Sequence, residues 1–250
     1  MNRFQDVRDF VREAHAVEDL SELHTLMEAT TRSLGFAYYA LGHHVSVMAH
    51  NHVRIGNYPG PWMEMLHEKR YIYVDPVLTA CQNSTVGFRW SEVEELIELS
   101  ATQREILSLA EKSGMGEGFT VPAHIPGECA GSCSFALGLG RTFKESAVPF
   151  LQYVGSFGFE AARRLGNGGT KRKTKVEETT RLTSRQLDCV VLVARGKSDW
   201  DSAKLLGISE QTVHQHVETA KRKFGVATRT QLVIRALFDN QLGFQDVIGR

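Results

Sequence analysis

The chain contains little cysteine and no long hydrophobic run. Its 250 residues include four cysteines, and none of them forms a C-x-x-C pair. We therefore expect no disulfide framework and interpret Cys81, Cys129, Cys133 and Cys189 as small buried residues in a reducing compartment; a redox or metal pair at Cys129 and Cys133 is the less favoured alternative. No apolar stretch approaches the length of a membrane span, and the first ten residues are too charged for a secretory signal. These features predict a cytoplasmic protein that does not contact membranes.

Sequence motifs of several enzyme classes are absent as well. The chain has no G-x-x-x-x-G-K-[ST] phosphate loop, no G-x-S-x-G nucleophile elbow and no H-E-x-x-H metal motif. The histidines at 43–44 and at 50 and 52 have no cysteine or carboxylate at ligand spacing, so we interpret them as strand or loop residues. The sequence predicts no enzyme activity, no metal and no cofactor.

The net charge is zero, but the charges are unevenly distributed. Residues 171–250 contain 15 Lys and Arg against 9 Asp and Glu, a net charge of +6, which leaves the preceding residues near −6. Residues 166–180 lack apolar periodicity and are rich in Gly, Lys and Thr, as is typical of a linker. We therefore predict an acidic domain over 1–165, a linker over 166–180 and a basic domain over 181–250.

Three helices are predicted in the basic domain. The first has apolar residues at i, i+3, i+4 and i+7, namely Leu187, Val190, Val191 and Ala194. Gly196 can end it in a left-handed cap. A second helix is predicted from Ser198 or Asp199 to Leu206, where Gly207 makes the turn and Ser209 caps the third helix. This arrangement is a helix-turn-helix, which is typical of DNA-binding proteins.

The third helix has an apolar stripe and a polar face. The stripe consists of Val213, Val217, Ala220 and Phe224. The opposite face carries Gln211, His214, Gln215 and Glu218, whose side chains can pair with base edges. Basic side chains follow that can contact phosphates: Lys221, Arg222, Lys223 and Arg229. In an isolated amphipathic helix we would interpret such a face as merely solvated, but the helix-turn-helix spacing favours DNA recognition.

These residues resemble the DNA-binding domain of LuxR-type transcription factors. The resemblance is carried by Leu182, Thr183, Arg185, Gly196, Ile208, Ser209, Thr212, Val213, Lys223, Val226 and Arg229. It implies double-stranded operator DNA as a partner, with contacts from Gln211, Thr212, His214, Gln215, Glu218, Lys221, Arg222 and Arg229. One departure is Gln186, where the family usually has Glu. An amide can keep the hydrogen bonds of this position but cannot form a salt bridge.

The acidic domain is predicted to be α+β. Helices are expected at about 3–16, 19–34, 61–70, 75–82, 101–113 and 144–165, and strands at about 37–47, 117–123 and 131–140. Helices on both faces of an antiparallel sheet would form an α/β/α sandwich with room for an internal pocket.

Residues 57–90 and two later strands resemble the autoinducer-binding domain of LuxR-type quorum-sensing receptors. The matching residues are Tyr58, Trp62, Asp75, Pro76, Trp90, Gly118 and Ser134. The resemblance implies an N-acyl or aryl homoserine lactone as ligand. A departure is Leu66, where the family usually has a Tyr that lines the acyl pocket, so we expect a wider and more apolar wall there.

The chemistry of these residue types suits such a ligand. The Trp62 indole can donate to the lactone carbonyl, the Asp75 carboxylate can accept from the ligand amide, and the Tyr58 and Ser134 hydroxyls can reach the acyl carbonyl. Trp90 and Tyr71 are expected to wall the pocket. Core packing is the alternative for the aromatic rings, and a helix cap the alternative for Asp75 before Pro76.

The expected function is a transcription regulator that binds a homoserine lactone and, as a homodimer, a pseudo-palindromic operator; RNA polymerase is a further expected partner. A dimer contact is predicted on the helix after Thr230, at Leu232, Val233, Ala236 and Leu237. One alternative is a regulator of this type that responds to another small apolar signal. A phosphorylation-controlled response regulator would need an acidic pocket with a phosphoacceptor, and a lactone-modifying enzyme would need a nucleophile or metal beside Asp75; neither pattern is evident.

Overall fold

The computed structural model describes residues 3–44, 53–125, 129–166 and 181–248. The chain divides into two compact units, residues 1–171 and residues 172–250, here called the N-terminal unit and the C-terminal unit. The predicted linker lies outside the described residues except for Gly166. Within the described ranges, no helix is both long and apolar enough to cross a membrane.

An antiparallel sheet of five strands forms the middle of the N-terminal unit, with the order β2-β1-β5-β4-β3. The strands are β1 (Tyr38–His43), β2 (Arg54–Gly56), β3 (Phe88–Arg89), β4 (Met115–Ala123) and β5 (Gly131–Gly138). The three longer strands were predicted. Positions 45–47 of the strand predicted over 37–47 lie outside the described residues, and β1 ends at His43. Strands β2 and β3 were not predicted because two or three residues are too few to show an alternating pattern.

Helices cover both faces of this sheet. They are α1 (Arg3–Ala16), α2 (Leu20–Ser33), α3 (Gly60–Glu68), α4 (Pro76–Ala80), α5 (Val93–Leu96), α6 (Ala101–Lys112) and α7 (Val148–Gly166). The longer predicted helices are present within a few residues of their expected bounds. The last one begins at Val148 rather than at 144, after a 3₁₀ turn over Glu145–Ala147, and Pro149 lies in its first turn, where a missing N–H costs nothing. The short helix α5 was not predicted.

The main core lies between one face of the sheet and helices α1, α2 and α7. Along β5, Cys133, Phe135 and Leu137 point into this core. Helix α7 approaches the sheet closely, since a Cβ atom at Gly155 would lie 2.7 Å from Cγ2 of Val121. On the opposite face, helices α3 and α6 enclose a second cluster formed by Trp62, Leu66, Ile106, Ala110, Met115 and Ala136. The predicted α/β/α sandwich is therefore confirmed.

The C-terminal unit is a bundle of helices. They are α8 (Ser184–Ala194), α9 (Asp199–Leu206), α10 (Glu210–Phe224), α11 (Arg229–Phe238) and α12 (Phe244–Ile248). Its core contains the predicted stripe of α10, with Val213, Val217 and Ala220 fully buried. The predicted end signals are present: Gly207 has a left-handed φ of 66°, and the Ser209 side chain accepts from the Thr212 amide.

Two sequence departures have structural outcomes. The Gln186 amide is buried, and its Oε1 accepts from the Thr183 amide at 3.0 Å and from Lys223 Nζ at 2.9 Å, so the hydrogen bonds expected of this position are kept. The prediction of buried cysteines holds for three of the four. It is wrong for Cys129, which is exposed because it lies in the connection before β5 rather than in the sheet.

Candidate functional site

A cavity of about 310 Å³ lies in the N-terminal unit between the sheet and helices α3, α4 and α6. This volume is at the lower end of the range of small-molecule pockets. Most of its wall is apolar, with side chains that include Met63, Leu66, Ile72, Val77, Leu78, Ile106 and Leu107. The polar groups on this wall decide which ligand can be accommodated.

Four of the predicted polar residues meet on the cavity wall, namely Tyr58, Trp62, Asp75 and Ser134, here called the polar quartet. Trp62 is only 4 % exposed and is held on α3. Ser134 lies on β5, on the strand face opposite the main core. Residues separated by more than 70 positions in sequence therefore surround one space.

Asp75 has two roles in the structure. Its Oδ1 accepts from the amides of Val77 at 2.8 Å and Leu78 at 3.2 Å, so it caps α4, whose first residue is Pro76. Its other oxygen has no hydrogen-bond partner among the described residues, and the side chain lines the cavity. Burial raises the pKa of Asp75 to about 6, against the opposing effect of the two backbone hydrogen bonds. The cap and the pocket position are therefore not exclusive.

The Tyr58 hydroxyl is buried, and no partner that completes a hydrogen bond with it lies in the described part of the chain. Burial and the nearby Asp75 carboxylate raise its pKa, whereas the Ser134 hydroxyl acts in the opposite direction. A buried hydroxyl without a partner costs about 1–3 kcal/mol. A ligand oxygen in the cavity would remove that cost.

A chain of hydrogen bonds connects Trp90 to the quartet. The Trp90 indole donates to Thr120 Oγ1 at 3.0 Å, and Thr120 Oγ1 lies 2.8 Å from Ser134 Oγ. Trp90 lines the cavity as predicted. Thr120 was missed by the sequence prediction, because a Thr inside a strand is usual and only the register, in which Thr120 lies opposite Ser134, reveals its role.

Three other predicted residues do not line the cavity. Tyr71 lies in a 3₁₀ turn and packs in the cluster around Trp62, with Lys69 Nζ 5.3 Å from its ring centre, so it supports the wall from outside. Pro76 is the first residue of α4. Gly118 makes room for the Trp90 ring, because a Cβ atom at this position would lie 2.3 Å from Trp90 Cε2.

Other polar residues on the wall were not predicted. They are His44 at the end of β1, Arg54 on β2 and Ser132 on β5. His43 accepts from the Val53 amide, and His44 Nε2 lies 2.8 Å from Ser132 Oγ. Across the described ranges, no group of three or more His, Cys, Asp or Glu is arranged to hold a metal. His50 and His52 lie outside the described residues.

The predicted recognition face of α10 is solvent-exposed at Gln211, His214 and Gln215. Glu218 is partly exposed and accepts from Lys221 Nζ at 2.8 Å, which lowers the Glu218 pKa. Thr212 points elsewhere, since its hydroxyl lies 2.7 Å from that of Ser209 at the helix cap. The face therefore presents two glutamines and a histidine to solvent.

The predicted phosphate contacts differ in their surroundings. Arg222 is exposed and donates to Thr219 Oγ1 at 3.2 Å. Arg229 forms an ion pair of 2.6 Å with Asp199 Oδ2, and His214 Nδ1 lies 3.4 Å from the same oxygen. Burial tends to raise the Asp199 pKa, but Arg229 and His214 together hold it below its usual value. Asp199 thus fixes Arg229 beside α10, which the sequence alone did not indicate.

The dimer contact predicted on α11 is wrong at Leu232 and Ala236. Leu232 and Ala236 are fully buried in the core of their own unit, and Val233 and Leu237 pack against the same core. The exposed apolar side chains of α11 are instead Ile234 and Phe238, one helical turn apart.

Two family models match this chain. Residues 19–162 match the autoinducer binding domain, and residues 180–236 match the bacterial regulatory proteins of the luxR family. Together these segments include the cavity and the helix-turn-helix.

Similar proteins agree with this match. The HTH-type transcriptional regulator y4qH of Sinorhizobium fredii is 31 % identical over 182 residues, which cover 72 % of this chain but only 54 % of that protein. The transcriptional activator protein BjaR1 of Bradyrhizobium diazoefficiens is 30 % identical over 181 residues, 72 % of each chain. The structure of SdiA in complex with octanoyl-rac-glycerol has a TM-score of 0.58 at 22 % identity and covers 96 % of both chains, which shows a shared fold. The chain belongs to the LuxR family of quorum-sensing transcription regulators, with an autoinducer-binding domain followed by a DNA-binding helix-turn-helix.

Proposed function

We propose that this regulator binds an N-acyl or aryl homoserine lactone in the cavity and, as a homodimer in the cytoplasm, a pseudo-palindromic operator. The autoinducer domain is assigned to residues 1–165, the linker to 166–180 and the DNA-binding domain to 181–250. The observation that carries the ligand proposal is the meeting of the polar quartet in one apolar cavity.

Three members of the quartet have a partner on such a ligand. The Trp62 N–H has no acceptor among the described residues and can donate to the lactone carbonyl. The free oxygen of Asp75 can accept from the amide N–H. The Tyr58 hydroxyl, which lacks a partner in the described part of the protein, can donate to the acyl carbonyl beside Ser134. The ligand would then complete a polar cluster that the protein alone leaves unpaired.

The exposed face of α10 supports operator recognition. Gln211 and Gln215 can pair with adenine, and His214 can donate to a purine. A dimer would present this face to two half-sites about one helical turn apart. Because Leu232 and Ala236 of the face first predicted on α11 are buried, we assign the C-terminal dimer contact to the exposed Ile234 and Phe238.

Thermal unfolding with a ligand panel tests the ligand class. The panel contains acyl- and aryl-homoserine lactones, with octanoyl glycerol as a non-lactone comparison. A ligand held only by the folded chain at a hundredfold excess over its Kd stabilises by about 2.7 kcal/mol. We expect a raised melting temperature with at least one lactone, about one bound ligand per chain and chemically unchanged ligand on recovery. A shift with octanoyl glycerol alone would assign the cavity to another apolar signal, and hydrolysed lactone would indicate an enzyme.

A second measurement tests the DNA partner. The purified full chain, with and without the ligand found above, is offered a randomised operator library, and its oligomeric state is measured by sedimentation. Selection of a sequence with two-fold symmetry by a dimer is expected. A monomer that selects an asymmetric site would contradict the operator model.

A further inference from the structure

A second row of polar groups lies on the cavity wall beyond the quartet. It consists of His44, Arg54 and Ser132, here called the tail row, and all three line the cavity. None of these residues has a role in the lactone contacts proposed above, so the row is available for another part of the ligand.

The sheet register gives the separation of the two rows. Ser134 lies opposite Ala40, and Ser132 lies opposite Gly42, two residues further along both strands. Gly42 in turn lies opposite Arg54 on β2. Residues that face one another across neighbouring strands share a face of the sheet, so Ser132, Gly42 and Arg54 all face the cavity side. Two residues along a strand correspond to roughly 7 Å.

Gly42 leaves the space between the two side chains of this row open. Its Cβ position would fall 2.7 Å from the Val53 carbonyl oxygen, so a larger residue does not fit. The part of the cavity wall between Ser132 Oγ and Arg54 therefore carries no side chain. His44 completes the row, with its Nε2 at 2.8 Å from Ser132 Oγ and its backbone N–H donating to the Ala130 carbonyl.

The charge state of the row suits an oxygen acceptor. Burial lowers the pKa of His44 to about 4, with His124 and Arg54 acting in the same direction, so the imidazole is neutral at pH 7. The Arg54 guanidinium remains charged. No carboxylate forms an ion pair with it among the residues that the structure describes. Arg54 lies on the edge strand β2 and is exposed, so its charge is available at this end of the cavity.

We propose that the tail row recognises an oxygen at the far end of the signal, so that the favoured ligands are homoserine lactones whose tail ends in a hydroxyl or carboxylate. This inference rests on the proposed lactone function and adds a tail class to it. A purely alkyl tail would offer Arg54 no acceptor and would displace water from the row at a cost. An oxygen placed roughly 7 Å beyond the acyl carbonyl would contact Ser132 and Arg54 instead.

The test compares tails of matched length on the full chain. Hexanoyl, 6-hydroxyhexanoyl and 5-carboxypentanoyl homoserine lactone are titrated by calorimetry. We expect the two oxygen-terminated ligands to bind about tenfold or more tightly than hexanoyl, which corresponds to about 1.4 kcal/mol, because hydrogen bonds to a charged group are stronger than neutral ones. Equal affinities for the three ligands in the unmodified protein would overturn the inference without any variant being needed.

Variants identify the residues responsible. Arg54→Met should abolish the preference for the carboxylate, and Ser132→Ala should reduce the preference for the hydroxyl, each measured as the affinity ratio to hexanoyl within the same variant. Arg141→Met is the charge-matched control, because Arg141 is exposed beyond the opposite end of β5. An oxygen preference that persists in Arg54→Met combined with Ser132→Ala would refute the tail row. If hexanoyl and both other lactones fail to bind while the chain is folded, the lactone proposal itself fails, and this inference fails with it.

Discussion

A Cβ atom at Gly118 would lie 2.3 Å from Cε2 of the Trp90 indole, so the ring occupies the space that any larger residue at 118 would need. The same indole donates to Thr120, whose hydroxyl contacts Ser134 on the cavity wall. The glycine on β4 thereby fixes the orientation of a serine on β5 through two intermediate side chains. This relationship connects a residue that never touches the cavity to the geometry of the polar quartet.

Gly118→Ala should displace the Trp90 ring and break this chain. Overpacking of this kind costs about 1–3 kcal/mol of the unfolding free energy, and ligand affinity should fall as Ser134 loses its orientation. Gly60→Ala is the matched control, because nothing beyond its chain neighbours and its own helix backbone lies within 4 Å of a Cβ placed there. Denaturant unfolding of both variants measures the stability change, and lactone titration measures the change in affinity. Equal behaviour of the two alanines would show that Trp90 adjusts without consequence.

Trp62→Phe should separate binding from folding. The change removes the indole donor but keeps most of the apolar volume, so lactone affinity should fall by roughly 1–2 kcal/mol while the ligand-free melting temperature changes little. Trp90→Phe provides the contrast, because the Trp90 N–H already has a protein acceptor and its loss should lower ligand-free stability. If Trp62→Phe binds normally and melts early, Trp62 is only a core residue.

Asp75→Asn should weaken ligand binding and stabilise the ligand-free protein. The amide oxygen of Asn can keep the cap on Val77 and Leu78. The substitution also removes a buried carboxylate whose pKa is raised from 3.8 to about 6. An acid with a raised folded-state pKa makes the folded chain less stable as pH rises from about 4 to about 6. The Asn variant should therefore gain stability over the native chain across this range and keep that gain at higher pH.

Ligand binding should show the opposite pH dependence in the native chain. Below about pH 6 the Asp75 carboxyl is protonated and is no longer a charged acceptor. Ligand affinity should therefore fall below that pH in the native chain and should not change with pH in Asp75→Asn. Asp75→Ala should in addition lose the cap, at a cost of about 1 kcal/mol. Unfolding and titration between pH 4 and pH 8 measure both effects. A flat affinity profile in the native chain would remove Asp75 from the ligand contacts.

The helix-turn-helix was predictable from the sequence because its signals are local. Ser209 and Gly207 lie next to the helix ends that they determine, and the stripe of Val213 and Val217 repeats within one helix. The polar quartet was predictable through its resemblance to a family, since its members lie on separate elements. Nothing local to Ser134 indicates that it shares a cavity with Tyr58.

The errors arise because apolar periodicity shows that a helix face is covered but does not show which surface covers it. The stripe of α11 that contains Leu232 is apolar whether it packs on its own unit or on a second chain, and the structure shows that it packs on its own unit. Likewise Tyr71 is aromatic and close in sequence to Asp75, but the 3₁₀ turn directs it to the outside of the wall. The positions of Thr120 and Arg54 depend on which strands pair and in what register, and the pattern within a single strand does not specify this.

Leu66→Tyr should change which tails the cavity accepts. Leu66 is 5 % exposed and lines the cavity in the cluster around Trp62, so a Tyr would reduce the volume and add a hydroxyl that needs a partner. Bulky or branched tails should lose more affinity than short linear ones. Leu205→Tyr, at a position 64 % exposed on α9, is the control that should leave all affinities unchanged. An identical loss for every tail would place Leu66 outside the acyl subsite.

Two variants of α10 should separate base reading from phosphate contact. Gln215 is exposed on the recognition face, so Gln215→Ala should relax the preference at one base pair in each half-site, by about 1–3 kcal/mol. Arg222→Ala should weaken all sequences alike and lower the salt slope by about one. Arg222 is a better test of phosphate contact than Lys221, which is already paired with Glu218 on the same helix.

A randomised operator library at two salt concentrations distinguishes these outcomes. Gln245→Ala serves as the control, because Gln245 is an exposed glutamine on α12 of the same unit and should leave both preference and salt slope unchanged. If Gln215→Ala selects the same operator as the native chain, the base-reading assignment is wrong at that position. His214, which shares the exposed face but lies 3.4 Å from Asp199, would then be the next residue to replace, and its variant would also report whether the Asp199 contact orients the recognition helix.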